Sequence, residues 1–359
     1  MARIARTRTF ALAVVAALAL ALVAGLSVGH AETPPNLPAI AADQLIASSL
    51  RALADRSPVS GTLTTHIDLG LPQLPDALGG QMGPVSALLS DQTFKEWRSP
   101  DGVRVAQILP LAERAVVANR TDVWAWDSEK STAWHIAVPK GMPPQGAMPG
   151  AMPGAMPGAA PPQTPSLGDL EGMVQKALAA ATPYAQVSVD RTDWVAGRAA
   201  YVVVMVPTSK DTLVGRIEVA IDAETRLPLR LQVFPRGSLD PAIEAGFTSV
   251  DFGPIDPAMF TFTPPPGATV KQVEVPANAG QGPSETPAPS DMPEVRTFGE
   301  GFGLILAVRV TDPPKDLRPL FPYAGPLGSA DLVERGDHVW IVVGAVAPDA
   351  LAGVEPKLP

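Results

Sequence analysis

Four histidines, a run of methionines in a repeat and a pair of acids in a turn are the side chains of this chain whose types and spacing invite chemistry. Each invites a different kind. His30 follows an apolar N-terminal run, which leaves His66, His135 and His338, and none of these lies at a spacing that brings two imidazoles onto one metal. Met142, Met148, Met152 and Met156 carry thioether sulfur, which suits Cu(I). They belong to Ala-Met-Pro-Gly units repeated at 147–150, 151–154 and 155–158 and to the residues just before them, a pattern that reads as a repeat grown in a tolerant loop. Asp222 and Glu224 lie together in a turn, where acidic side chains serve geometry and solubility. The chain has no cysteine, so thiol chemistry, disulfides and a lipidated N-terminal cysteine are all excluded. It also has no Gly-x-Ser-x-Gly, phosphate loop or dinucleotide fingerprint. The expectation is a protein that binds without catalysing and needs neither metal nor cofactor.

The elements that must position such a binding site are mostly strands. Ile217, Val219 and Ile221 alternate with Arg216, Glu218, Ala220 and Asp222, and beyond the turn Leu227, Leu229, Leu231 and Val233 alternate with Arg226, Arg230 and Gln232. A period of two over this length means a hairpin with one apolar and one polar face. Leu63, Thr65, Ile67, Leu69 and Leu71 make an earlier strand of the same kind, and further strands are expected near 93–99, 103–109, 113–119, 122–126, 133–138, 185–189, 199–206, 245–252 and 259–263. Helices are expected over 43–55, with Leu45, Ile46, Leu50 and Leu53 on one side, and over 166–181, capped by Ser166. Two principal helices are too few for crossovers between about eleven strands, so the fold class is mainly β, one wide, curled antiparallel sheet.

The address and the domain plan come from composition. Arg3, Arg6 and Arg8 precede an apolar run from Phe10 to Val28, and Gly29-His30-Ala31 offers a cleavage site. The chain is therefore expected to be exported, to the outer face of the cell membrane, the envelope or the medium. Residues 1–31 are either a signal peptide or an uncleaved anchor, since the run is nearly long enough to span a bilayer. The formal net charge of −9 argues against nucleic acid and anionic headgroups as partners. Residues 32–270 form the main domain, interrupted at 139–165 by a Met/Pro/Gly/Ala-rich stretch without an apolar face, expected to be disordered. A linker at 271–293 leads to a small α/β module over 294–359, in which 302–311 and 337–345 read as strands apolar on both faces. About 65 residues without cysteine make a marginal core, so this tail is expected to dock on the main domain.

Three phrases of the sequence resemble a known family: "VWAWDSEKSTAWHIAVP", "VGRIEVAIDAETRLPLRLQVF" and "FTSVDFGPIDPAMFTFTPPPGATV". They look like the LolA-like family of envelope proteins, which includes the lipoprotein carrier LolA and the N-terminal domain of the sigma-factor regulator RseB. Asp222, Thr225 and Pro228 match that family's Asp-x-x-Thr-x-x-Pro turn, and Phe260, Phe262 and Pro265 match its closing Phe-x-Phe-x-x-Pro. The tail resembles the ends of such proteins from high-GC Gram-positive bacteria. The resemblance, over about 40–270, implies an incomplete barrel whose concave face, lidded by helices, holds acyl chains.

Strand alternation names the residues that would line such a face: Leu63, Ile67, Leu69, Val105, Trp124, Trp126, Trp134, Ile136, Val203, Met205, Val219, Leu229 and Leu231. The same alternation also fits a sheet curled on a dry core. Trp124 and Trp126 share a strand face, and Trp134 is expected to approach them across the hairpin. A tight binder is expected to keep its lining apolar, so an Arg or Glu there counts against it. Two functions follow from the resemblance. One is a carrier or chaperone for lipid, glycolipid or lipoprotein acyl chains. The other is an RseB-like, lipid-sensing regulator that binds the extracytoplasmic part of a membrane protein.

Overall fold

The computed structural model describes residues 33–55, 57–70, 91–138, 182–273, 294–310, 318, 321–336 and 338–359. The export segment, the methionine repeat, the helix expected over 166–181 and most of the linker lie outside the described residues. Among the described residues, no helix is long and apolar enough to cross a membrane.

The first described helix, α1 (Ala42–Ala54), lies within one residue of its expected bounds. Asp43 in its first turn and Arg51 in its last complement the helix dipole. Eleven strands follow: β1 (Val59–Ile67), β2 (Gln92–Ser99), β3 (Gly102–Leu109), β4 (Ala112–Asn119), β5 (Asp122–Asp127), β6 (Thr132–Ala137), β7 (Ala185–Val195), β8 (Arg198–Pro207), β9 (Val214–Asp222), β10 (Pro228–Pro235) and β11 (Ile243–Asp251). With a short edge strand, β12 (Thr269–Gln272), they form one sheet in the order β12-β6-β5-β4-β3-β2-β1-β11-β10-β9-β8-β7. Two antiparallel meanders, β1 to β6 and β7 to β11, are thus joined where β1 pairs with β11. The sheet curls without closing, because its edges β12 and β7 are not hydrogen-bonded to each other.

Three expectations are corrected here. The strand expected at 259–263 is a 3₁₀ turn, Pro257–Phe260, followed by extended chain. Asp256 caps that turn by accepting from the Ala258 N–H at 2.9 Å, and Pro257 has no N–H to give a ladder. Next, β12 pairs in parallel with β6, so the sheet is not wholly antiparallel. Between β11 and β12 the chain passes over Gly102 of β3 and Asn119 of β4, reaches the β6 edge in the direction of β6, and satisfies edge groups there through Thr269 N–H to Ser131 O and Val273 N–H to His135 O. Finally, β1 ends at Ile67, so Leu69 has left the sheet.

The turn from β9 to β10 shows why its residue types recur. Oδ1 of buried Asp222 accepts from the N–H groups of Glu224 and Thr225 and from the Thr225 hydroxyl, at 2.7–3.0 Å. Arg226 takes a positive φ of 64°, and Pro228 opens the next strand. Asp222 therefore builds the turn, as expected from the sequence, while the exposed Glu224 carboxylate accepts from Arg198.

A second sheet has the order β13-β14-β17-β16-β15, from β13 (Val295–Phe298), β14 (Ile305–Val310), β15 (Tyr323–Ala324), β16 (Ser329–Arg335) and β17 (His338–Gly344). One face buries Ala307, Val333, Trp340 and Val342 under Leu351 of the short helix α2 (Pro348–Ala352) and under Val354 and Leu358. The opposite face leaves Leu306 and Val343 38% and 41% exposed, so among the described residues only one of the two apolar faces read from the sequence is covered. The module joins the large sheet end-on. Leu213 N–H donates to Ala345 O at 2.8 Å, a bridge links Thr212 to Val346, and Val214, Ala242 and Leu327 form a shared apolar cluster.

Candidate functional site

The sheet face that carries α1 is the candidate site, and its two halves differ. Over β8 to β11, α1 seals it. Leu45, Ile46 and Ala47 pack on Tyr201, Val203, Val219, Ile221, Leu231 and Ala245 in one buried cluster. The approach to α1 is strapped down as well. The Trp194 indole N–H donates to Thr33 O, the Thr192 hydroxyl to Pro35 O and the Tyr201 hydroxyl to Pro38 O, at 2.7–3.0 Å. Leu53 near the end of α1 also touches a second cluster that contains Val59, Leu63, Leu229 and Phe247.

Register carries the same face onward across β2 to β6. Gly61 stands opposite Glu96, then Val105, Val116, Ala125 and Trp134 in one row, and Val59 stands opposite Arg98, then Val103, Ala118, Val123 and Ile136 in the next. Residues of one row share a face because side chains alternate strictly along each strand. Ala118, Val123 and Ile136 are buried with Val138, whereas Val103, Val105, Val116, Ala125 and Trp134 are only half-buried. Their cluster draws on strands of this sheet and the chain just beyond β6, and among the described residues no helix enters it. An apolar floor of this kind can hold a chain-like hydrophobic ligand by burial alone, at about 25 cal/mol per Å² of apolar surface.

This floor is not wholly apolar, contrary to expectation. Glu96 and Arg98 stand on it side by side, with side chains 14% and 24% exposed and Arg98 Nε 3.8 Å from the Glu96 carboxylate. That distance is too long for a hydrogen bond, and the buried Nε has no hydrogen-bond partner. Burial raises the Glu96 carboxyl above the ordinary range, opposed by the Arg98 charge. The sequence reading passed over both residues. The available signal was in β2, where Phe94, Glu96 and Arg98 alternate with Lys95 and Trp97, placing charge on both faces.

The thirteen residues named from sequence fall into several places. Leu63, Val105, Trp134 and Ile136 lie on or beside the floor, while Val203, Val219 and Leu231 lie beneath α1. Met205 pairs with Ile217 on that covered side, Ile67 pairs with Ile243 at the strand end, and Leu229 is held in the second cluster. Leu69 packs toward the C-terminal module with Leu327, and its carbonyl accepts from Tyr323. Trp124 and Trp126 are on the reverse face, with Phe262 tilted against both at 5.5 and 5.9 Å. Trp134 does not approach them, because it stands opposite Ala125, one residue out of phase with both.

The reverse face is covered by the closing Phe-x-Phe segment. Phe260 is buried over Gly102, where an added Cβ would come within 2.8 Å of its side chain, and Asn119 donates to Phe260 O at 2.9 Å. His135 belongs here, with its side chain only 16% exposed. It stacks on Trp124 at 4.1 Å, and its two ring nitrogens lie 2.7 Å from Asp122 Oδ1 and 2.9 Å from Gln272 Oε1. His66 meets Asp91, and His338 contacts Arg309. Among the described residues, no group of three or more His, Asp or Glu could hold a metal.

Over β7 to β10 the reverse face carries paired charges. Glu218 accepts from Arg191 and Arg216, both at 2.6 Å, and Asp222 forms a two-toothed pair with Arg198 at 2.9 and 3.1 Å. Burial pushes both carboxyls upward, but the hydrogen bonds from these arginines and, for Asp222, from the turn outweigh it and hold both below the ordinary range. These acids are occupied and have no free site to offer.

No family model matches the chain, and no curated protein matches it. Solved structures do. The chain is similar to MucB in complex with MucA(peri), at 15% identity and TM-score 0.44 over 88% of this chain and 97% of that one. It is similar to the MucA/MucB complex of Pseudomonas aeruginosa, at 14% identity and TM-score 0.43 over 88% and 96%. It is also similar to a LolA superfamily protein from Nitrosomonas europaea, at 10% identity and TM-score 0.21 over 62% and 99%. The last of these carries in its name the group that the sequence phrases resemble.

Proposed function

We propose that this chain is an exported cell-envelope protein that binds the acyl chains of a lipid, glycolipid or lipoprotein on the β2 to β6 half of its α1-bearing face, as a carrier or chaperone. One observation carries the reading: on the same face that α1 seals elsewhere, the apolar row Val105, Val116, Ala125 and Trp134 stays half-buried beside the buried row of Ala118, Val123 and Ile136. A dry core would be expected to bury Val105, Val116 and Trp134 as completely as Val219 and Ile221 are buried under α1. The protein acts by sequestering its ligand and needs no catalytic group to do so. Whether residues 1–31 are removed decides between a diffusible carrier and a tethered one.

The test is to purify the protein from its native host, extract it with organic solvent and identify co-purifying lipid by mass spectrometry. A stoichiometric lipid that is lost in Val116→Arg, with the fold intact by circular dichroism, is the expected result. A lipid-free protein that also ignores added lipid would overturn the reading.

The second reading, a lipid-sensing regulator that binds the extracytoplasmic part of a membrane protein, is favoured by the apolar outer face of the C-terminal sheet around Leu306 and Val343. Cross-linking in native membranes tests it. A specific membrane-protein adduct from position 306 supports it, and lipid-dependent loss of that adduct would identify the sensor.

A further inference from the structure

The Glu96 and Arg98 pair has no structural task that its geometry satisfies. A structural ion pair at this burial should close to about 2.8 Å and use several donors. Here the closest approach is 3.8 Å, and Arg98 Nε is buried with no hydrogen-bond acceptor. The contrast lies within the same sheet, where the Arg198–Asp222 and Arg191–Glu218 pairs close to 2.6–2.9 Å. A half-buried guanidinium whose Nε is buried and unfilled, set at the margin of an apolar floor, is complementary to an amphiphile that brings its own acceptor.

We propose that Arg98, with Glu96 beside it, receives the carboxylate of a long-chain fatty acid whose hydrocarbon lies along Val103, Val105, Val116 and Trp134. This deepens the acyl-binding reading above and rests on it. The rows of the sheet place the polar pair on β2, beside β1, and the hydrocarbon path on β3 to β6, so a single extended chain reaches from one to the other. A carboxylate between the two side chains would accept from Arg98 Nε and from Glu96 in its protonated form, which burial favours. The ligand's charge would then balance that of Arg98 inside the site. An ester offers a weaker acceptor and no charge, and leaves that balance unmet.

The experiment compares oleate with methyl oleate on the delipidated full chain, by displacement of a fluorescent acyl probe. Their hydrocarbon tails are the same, so the difference reports the carboxylate. Oleate is expected to bind at least about tenfold more tightly, the size of one charge-assisted hydrogen bond. Arg98→Met is expected to bring the two affinities together by weakening oleate and leaving methyl oleate unchanged. Equal binding of the two ligands to the unmodified protein would overturn the carboxylate proposal while leaving acyl binding standing. Binding of neither would overturn both. The comparison on the unmodified protein needs no variant, so poor folding of Arg98→Met cannot shield the proposal.

Discussion

Two halves of one sheet face have the same alternation in sequence and different fates in the structure. Beneath α1, Val219, Ile221 and Leu231 are core. Across β3 to β6, Val105, Val116 and Trp134 occupy the same face and stay half-buried. The acids of the two regions differ as well. Glu218 and Asp222, on the reverse side of β9, are saturated by arginines and hydrogen bonds, whereas Glu96 stands almost alone with a loosely placed Arg98. Alternation alone does not make an apolar row core, and a buried acid becomes structural where its lone pairs are filled.

The largest expected effect sharpens that contrast. Leu231→Ala beneath α1 should destabilise the protein by about 4 kcal/mol, and Val116→Ala on the half-buried row by about 1 kcal/mol, as measured by urea denaturation. Losses in proportion to the carbons removed, three from Leu231 and two from Val116, would mean that both halves are packed alike. Asp222→Ala should cost about 3 kcal/mol, because it strands Arg198 and unties the turn. Its contribution is also pH-dependent. With a depressed folded-state value, Asp222 stabilises fully above the ordinary carboxylate range near pH ~4 and loses that contribution as pH falls through its folded value. Asp222→Asn should therefore flatten the acid limb of the stability curve.

Phe262→Ala should cost about 2 kcal/mol and red-shift tryptophan emission as Trp124 and Trp126 become wetter, with the proposed acyl binding on the other face retained. Loss of lipid in this variant would show that the two faces are not independent. The smallest effect is that of Glu96→Gln. Because burial raises the Glu96 carboxyl, the ionised form costs stability as pH rises through its folded value. The substitution should accordingly stabilise at pH 7 and be neutral at pH 4, the opposite sign to Asp222→Asn. A loss of stability at pH 7 would show that Glu96 and Arg98 are a productive ion pair.

Much of the architecture was legible. Period-two alternation located β2 to β6 and β8 to β11, and an amphipathic stripe located α1. The turn at Asp222 was legible because its chemistry is local, each hydrogen bond spanning two or three residues. The closing segment misled, since Met259 to Thr263 alternates like a strand but docks by burying Phe260 against Gly102 and Asn119, far away in sequence. The three tryptophans misled for a related reason. Alternation separates Trp124 and Trp126 from Trp134, but which side receives a cover depends on where residues 252–268 lie. Glu96 and Arg98 were missed because a charged pair inside a strand looks like a solvated edge until its neighbours are known.

The sequence alone therefore determined the strands, the polarity of each strand's two sides, the absence of thiol chemistry and the hairpin at Asp222, all of which depend on residues within a few positions of one another. Only the tertiary structure decided which apolar side α1 seals, which side the Phe260 and Phe262 segment covers, and which stretch is left with Glu96 and Arg98 upon it. Alternation along a strand assigns side chains to two faces, but burial is a property of what lies above a face, and that is set by chain segments more than a hundred residues apart.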